Sequence, residues 1–316
     1  MKIIYGLFIL LYMTGYGQPE IIIDKDKLAK EAVDTLIVLL QEQKEWVKVH
    51  AAEFLIWTGY PGQVKEMFRK EEQQFSDHCP YRIGIWRVLA QLSAEKERQG
   101  YEQEILNAFC DTSGKDRVHA AETLAKLKIS PYASVASITK AALESGNVPL
   151  QGYTNWAIAY TSDSAMKNAQ NYFYHNMVDS GADIALRRIS AYVLRYIDPV
   201  SPSQWNDLAA CILSLPADAE GRINFLTTAA IIASKESEKT TLYRSVVSAL
   251  ESHQSEKTKS TRMELANMLA AKGTKNDLPL LLQWLHNERP TGISADDADV
   301  KASAAFAILR VTGREK

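Results

Sequence analysis

The sequence predicts an all-α protein, a right-handed α-solenoid of about eight antiparallel helix pairs stacked as a superhelix. Three observations carry that expectation. A phrase, Val47-Lys48-Val49-His50-Ala51-Ala52-Glu53-Phe54-Leu55, returns as Arg117-Val118-His119-Ala120-Ala121-Glu122-Thr123-Leu124 and as Val300-Lys301-Ala302-Ser303-Ala304-Ala305-Phe306-Ala307-Ile308. Its last apolar residue recurs as an anchor at Leu55, Leu89, Leu124, Ala159, Leu194, Ile231, Leu269 and Ile308, spaced 34, 35, 35, 35, 37, 38 and 39 residues apart. No alternating run long enough for a strand interrupts the pattern.

Each anchored stretch reads as a helix with one packed face. Three or four positions before the anchors stand Ala51 and Ala52, Trp86, Ala121, Trp156, Ala191, Thr228, Ala266 and Ala305. That is a helical period, and its small residues allow a neighbouring helix to approach closely. Second helical stretches lie between the anchored ones: 62–74, 101–110, 134–143, 163–177, 203–215, 239–250 and 277–286. Breakers part them, among them Gly59-Tyr60-Pro61-Gly62, Ser130-Pro131, Gly146, Asp198-Pro199, Leu215-Pro216, Gly273 and Arg289-Pro290. Residues 25–41 read as a capping helix before the first anchored one. No Pro- or Gly-rich linker divides the chain, so residues 18–316 are expected to form one domain.

The N-terminal residues have the layout of a secretory signal peptide over 1–17. Lys2 supplies a positive end, Ile3 to Met13 is apolar, and Gly15 and Gly17 precede a cut before Gln18. The run is short of the roughly 20 apolar residues that span a bilayer. No stable membrane insertion is expected, and the location expected is exported, periplasmic or secreted. The net charge of −2 lacks the basic footprint of a nucleic-acid binder. Three cysteines make no disulfide framework. Cys79 before one helix and Cys110 at the end of the next are placed so that an antiparallel pair brings them together, and an oxidising compartment would allow a bond. Cys211 sits in an apolar stripe and reads as a buried thiol.

The phrase resembles the HEAT-repeat family, in its short, PBS-lyase-like form, as carried by an exported bacterial protein. Val47-Lys48 with Ala51-Ala52 and Leu55-x-x-x-Gly59 fits that pattern, as does Asp299-Val300-Lys301 with Ala304-Ala305 and Ile308. Gly273 and the residues after it look like the turn and next helix. Units two, four and six are degenerate, and Gly152 stands where unit four should carry its basic residue. The resemblance implies stacked helix pairs and says little about chemistry, because such folds host many roles.

Seven residues before the anchors stand Lys48, Arg82, Arg117, Arg187, Arg262 and Lys301. At 100° per residue this position lies within about 20° of the anchor. The expected role is structural: the stem covers the core edge while the head reaches a turn carbonyl or an acidic neighbour.

Catalytic and metal signatures are not found. The histidines are scattered, none precedes a Glu, and His50 and His119 lie two units apart, on the order of 20 Å at usual helix spacing. No nucleophile elbow, phosphate loop or carboxylate pair is present. Asp296-Asp297-x-Asp299 reads as a solvated helix N-cap. The chain is therefore expected not to be an enzyme, with no cofactor and no metal.

A partner is expected along the concave face, which the anchored helices line. There, positions −6, −5, −2 and +2 from each anchor point away from the core, placing His50, Glu53, Trp57, Arg87, Gln91, His119, Glu122 and Lys126 outward. One patch stands out, because residues 153–205 hold nine aromatics, about twice what the chain's 9% average gives for that length. Of these residues Tyr153, Tyr192 and Tyr196, joined by Arg188, pass the angular test, and Tyr and Arg are favoured binding anchors. The function expected is an exported, non-enzymatic scaffold or protein-binding module. The alternatives are a carbohydrate- or peptide-binding module using Tyr153, Arg188, Tyr192 and Tyr196, or a non-catalytic subunit of an enzyme complex.

Overall fold

The computed structural model describes residues 24–314. The expected signal segment, 1–17, lies outside the described residues. Within them the chain is all-α, with sixteen α-helices and no strand. Eight helices carry the anchors or end beside them: α2 (Glu45–Trp57), α4 (Tyr81–Leu92), α6 (Arg117–Lys126), α8 (Val148–Ala159), α10 (Ile184–Val193), α12 (Arg222–Ile232), α14 (Lys259–Lys272) and α16 (Ser294–Arg314). The others alternate with them: α1 (Lys25–Glu42), α3 (Val64–Phe75), α5 (Glu95–Cys110), α7 (Ala136–Leu143), α9 (Asp163–Val178), α11 (Pro202–Ser214), α13 (Thr241–Glu251) and α15 (Leu278–Leu285).

Local chemistry sets many of the boundaries. Asp24, Asn147, Ser162, Asp183 and Thr240 each accept a hydrogen bond from a first-turn amide of the helix they precede. Ser201 and Gln204 form a reciprocal capping box at α11, with Pro202 at its first position.

The repeated phrase packs as its periodicity requires. Ala51, Ala52, Ala120, Ala121, Ala304 and Ala305 are fully buried, as are the anchors Leu89, Leu124 and Ile308. Five of the six residues of the basic ladder make the bonds expected of them; Lys301 makes none among the described residues. Lys48 donates to Glu71 at 2.5 Å, Arg82 to Asp116 at 2.6 Å and Arg117 to the Phe109 carbonyl at 2.9 Å. Arg187 reaches the Met177 carbonyl, and Arg262 reaches those of Glu256 and Arg289.

Gly152 breaks that ladder for a steric reason. A Cβ there would lie 3.0 Å from Ile189 Cγ2 on α10, so glycine lets α8 and α10 approach. Restoring the repeat's basic residue, Gly152→Arg, is expected to cost about 1–3 kcal/mol by overpacking this contact. Thermal unfolding checks it, and an unchanged Tm would mean the helix approach does not select glycine.

The even-numbered helices run parallel. Their C-terminal ends are joined by Trp57 to Gln91, Ser130 to Thr161, Tyr160 to the Tyr196 carbonyl, and Lys272 to the Ala233 carbonyl. Their N-terminal ends are joined by Arg82 to Asp116 and Lys259 to Asp296.

The series closes on itself. Each even-numbered helix packs on the next, and α16 packs on α2 as well as on α14. The expected capping helix forms as α1, but it lies against both α2 and α16 rather than capping an open end. Phe54 stacks on Phe306 with ring centroids 4.6 Å apart. His50 Nδ1 lies 2.8 Å from Asp299, which also takes Lys259 at 2.6 Å, and His286 meets Glu31 at 2.7 Å. An open array leaves an apolar face bare at each end, and here the two faces cover each other.

Closure changes several expectations. The −5 and −2 positions, expected to point freely outward, turn into the ring and are tied down: Glu53 is buried against Arg87, and His119 stacks on Trp46 at 5.2 Å. The acidic run 296–299 is not a solvated cap. Asp299 is buried in the closure, and buried Asp297 accepts from the Thr291 amide and hydroxyl at 2.7 Å. Cys79, Cys110 and Cys211 are all free and only partly buried, and Cys211 Sγ faces the Val178 carbonyl at 3.5 Å.

Candidate functional site

A regular ring of eight helices at about 9.5 Å spacing is roughly 25 Å across, axis to axis. The Cα cylinder of each helix is about 4.6 Å across, so roughly 20 Å separates facing backbones. Long polar and aromatic side chains occupy that space. Arg87 donates to both oxygens of Glu53, at 2.7 and 2.9 Å, and to Thr123 at 3.3 Å. Gln91 donates to Glu53 at 3.1 Å and accepts from the Trp57 indole at 2.9 Å. These bonds tie α2, α4 and α6 together across their inner faces.

Burial pushes the Glu53 carboxyl up, but the Arg87 and Lys126 charges outweigh it and hold the group below the usual carboxylate range. Glu122 behaves alike: burial opposes its charge, and Lys126, 2.9 Å away, with Arg87 prevails. Further round, Arg195 donates to Glu264 at 2.6 Å, to Thr227 and Thr228, and to the Asn224 carbonyl.

At the C-terminal ends of α2, α4, α6, α8 and α10 the ring opens into a cavity of about 390 Å³. Trp57, Trp156, Tyr160, Tyr192 and Tyr196 supply its aromatic wall. Tyr192 and Tyr196 ring centroids are 5.0 Å apart, and Trp156 lies 5.8 and 5.5 Å from them. The Tyr196 hydroxyl is held protonated by the neighbouring Tyr192 and by burial, and the Tyr192 hydroxyl by burial and the Glu122 charge. Tyr196 nevertheless remains 49% accessible, because it faces the cavity.

Two exposed aromatics, Trp57 and Tyr196, line this mouth. Among the described residues the large exposed apolar side chains are Val38, Trp57, Tyr60, Tyr132, Tyr196 and Ile293. The four aromatic ones all follow or end an even-numbered helix at its C-terminal side. Exposed aromatics grouped in this way mark interaction sites more often than scattered ones do.

The predicted patch is divided. Tyr192 and Tyr196 line the cavity together. Tyr153 is half-buried within electrostatic reach of Glu122 and Tyr192 but does not line it. Arg188 is exposed at the opposite mouth, 3.9 Å from Glu220, beside a shallow depression it shares with Lys259, Glu264 and Asp296. A helix wheel fixes direction but not depth: eight residues separate Arg188 from Tyr196, about 12 Å along the axis.

Trp57, Gln91 and Lys126 were legible at concave positions. Trp156 reads as core and is core, with an edge reaching the cavity. Tyr160, Arg195 and Lys128 were missed because they stand just past the anchors Ala159, Leu194 and Leu124, outside the four positions that the angular test picks out. The sequence did hold one signal for Lys128: it occupies the turn position that Gly59 fills in the first unit.

No family model matches the chain, and no curated protein is similar to it. A similar solved structure is the X-ray structure of YibA of E. coli, 17% identical, matching 90% of this chain and 99% of that one. The TM-score of 0.34 means that the two superpose only loosely. Among the described residues no helix is long and apolar enough to cross a membrane, and no three His, Cys, Asp or Glu gather as a metal site.

Proposed function

We propose that this is a HEAT-type repeat protein, a right-handed array whose ends have met, acting as a non-enzymatic binding module for a carbohydrate. The observation that carries the reading is the aromatic cavity at the C-terminal mouth. Tyrosine and tryptophan faces stack on the apolar faces of sugar rings, and their rigidity limits the ordering cost of binding. Helix C-termini present carbonyls that accept from sugar hydroxyls. The signal-like layout of residues 1–17 supports an exported location, where saccharides are met.

Ring closure weighs against a scaffold that grips a protein along its concave face, because the inner helices already face one another. A non-catalytic role is supported by the carboxylate at the cavity, Glu53, being committed to Arg87.

Glycan-array binding followed by calorimetry tests the proposal. The Trp57→Ala/Tyr196→Ala double variant removes two exposed rings and should keep the fold. Its affinity is expected to fall about tenfold or more. Undiminished binding in that variant would refute the site. Recovery of a stoichiometric protein partner from the exported fraction, with no glycan bound, would favour the scaffold.

A further inference from the structure

Lys128 ends the third repeat's inner helix with a backbone φ of +60°. The turn is a Schellman motif: the Lys128 amide donates to the Ala125 carbonyl at 3.0 Å, and the Ile129 amide to that of Leu124 at 2.8 Å. The first unit makes the same two bonds, from Gly59 to Ile56 and from Tyr60 to Leu55, with Gly59 at φ +87°. Turn geometry alone favours glycine at this position, since a side chain in the left-handed region is strained. The third unit places a lysine there, and its ammonium lies 6.0 Å from the centre of the Tyr160 ring.

Four cations line the cavity: Arg87, Lys126, Lys128 and Arg195. Three are neutralised, by Glu53, Glu122 and Glu264 respectively. Among the described residues Lys128 has no carboxylate within ion-pair distance. An uncompensated positive charge therefore stands at the edge of a wall of aromatic rings.

From this we infer that the cavity selects a ring sugar bearing one acidic group, whose anion pairs with Lys128; the inference rests on the carbohydrate-binding reading above. Carboxylated and sulfated sugars share that chemistry, so both are probes. The full-length protein is titrated by calorimetry with phenyl β-D-glucoside, phenyl β-D-glucuronide and phenyl β-D-glucoside 6-sulfate. At least one acidic probe is expected to bind about three- to tenfold tighter than the neutral one, with the advantage shrinking as salt rises.

Lys128→Gly is the informative variant, because glycine relaxes the turn: its Tm should hold or rise while the acidic preference disappears. Lys128→Arg should retain the preference. Equal binding of neutral and acidic probes, or a preference that survives Lys128→Gly, overturns the inference and leaves the carbohydrate site standing. Absence of binding by all three probes overturns the carbohydrate reading and this inference together.

Discussion

Arg87→Ala is expected to destabilise the protein by about 3–5 kcal/mol, the usual cost of stranding a buried charge. Arg87 and Glu53 are each 3% exposed and share two short hydrogen bonds. With Arg87 gone, Glu53 keeps its desolvation and loses its nearest counter-charge. Urea denaturation should show the midpoint moving with little change in slope. The Glu53→Leu/Arg87→Leu double variant should recover most of the loss, because neither member of the pair is left as an unpaired buried charge. A loss below about 1 kcal/mol for Arg87→Ala would mean that water reaches the centre of the ring.

The same pair sets an acid limit. Glu53 has a folded pKa below its ordinary 4.5. The unfolded chain therefore binds its proton first as pH falls, and the pair's contribution is whole above 4.5. It is lost progressively as pH drops below that value through the folded pKa. The double-leucine variant has no such carboxylate to protonate, so its stability should fall less steeply on acidification.

Leu36→Ala is expected to cost about 2–5 kcal/mol, the range for truncating a leucine in a packed core. Leu36 is fully buried on α1, which packs on both α2 and α16. Where the loosening appears matters as much as its size. In an open array, neighbours couple only to neighbours, and damage to the first helix frays the N-terminus. In the closed ring α16 loses its cover too. Hydrogen exchange should accelerate in α1 and α16 together, although they lie at opposite ends of the sequence. Acceleration confined to α1 and α2 would refute closure.

Much of the helical layout was legible because its causes are local. Apolar periodicity and breakers placed α3 and α9 within about two residues of where they form, the reading error usual at helix ends. The role of the basic ladder was legible too, since an angle on a helix wheel puts Arg82 and Arg117 beside the packed face. Less of the candidate site could be read. The wheel put Glu53 and His119 on the concave side, but it could not tell that this side is closed. It grouped Arg188 with Tyr196 although the two open on opposite mouths.

The sequence by itself determined that helices pair, which of their faces pack, and where turns fall, because a period of about 35 residues repeats those local instructions. Only the tertiary structure decided that α16 returns to α1 and α2. Closure depends on the small rotation between successive units, summed over the whole array, and no single repeat encodes that sum. It converts a concave face into an interior, where most charges are paired, and leaves Lys128 without a carboxylate partner among the described residues, beside the aromatic rings at one mouth.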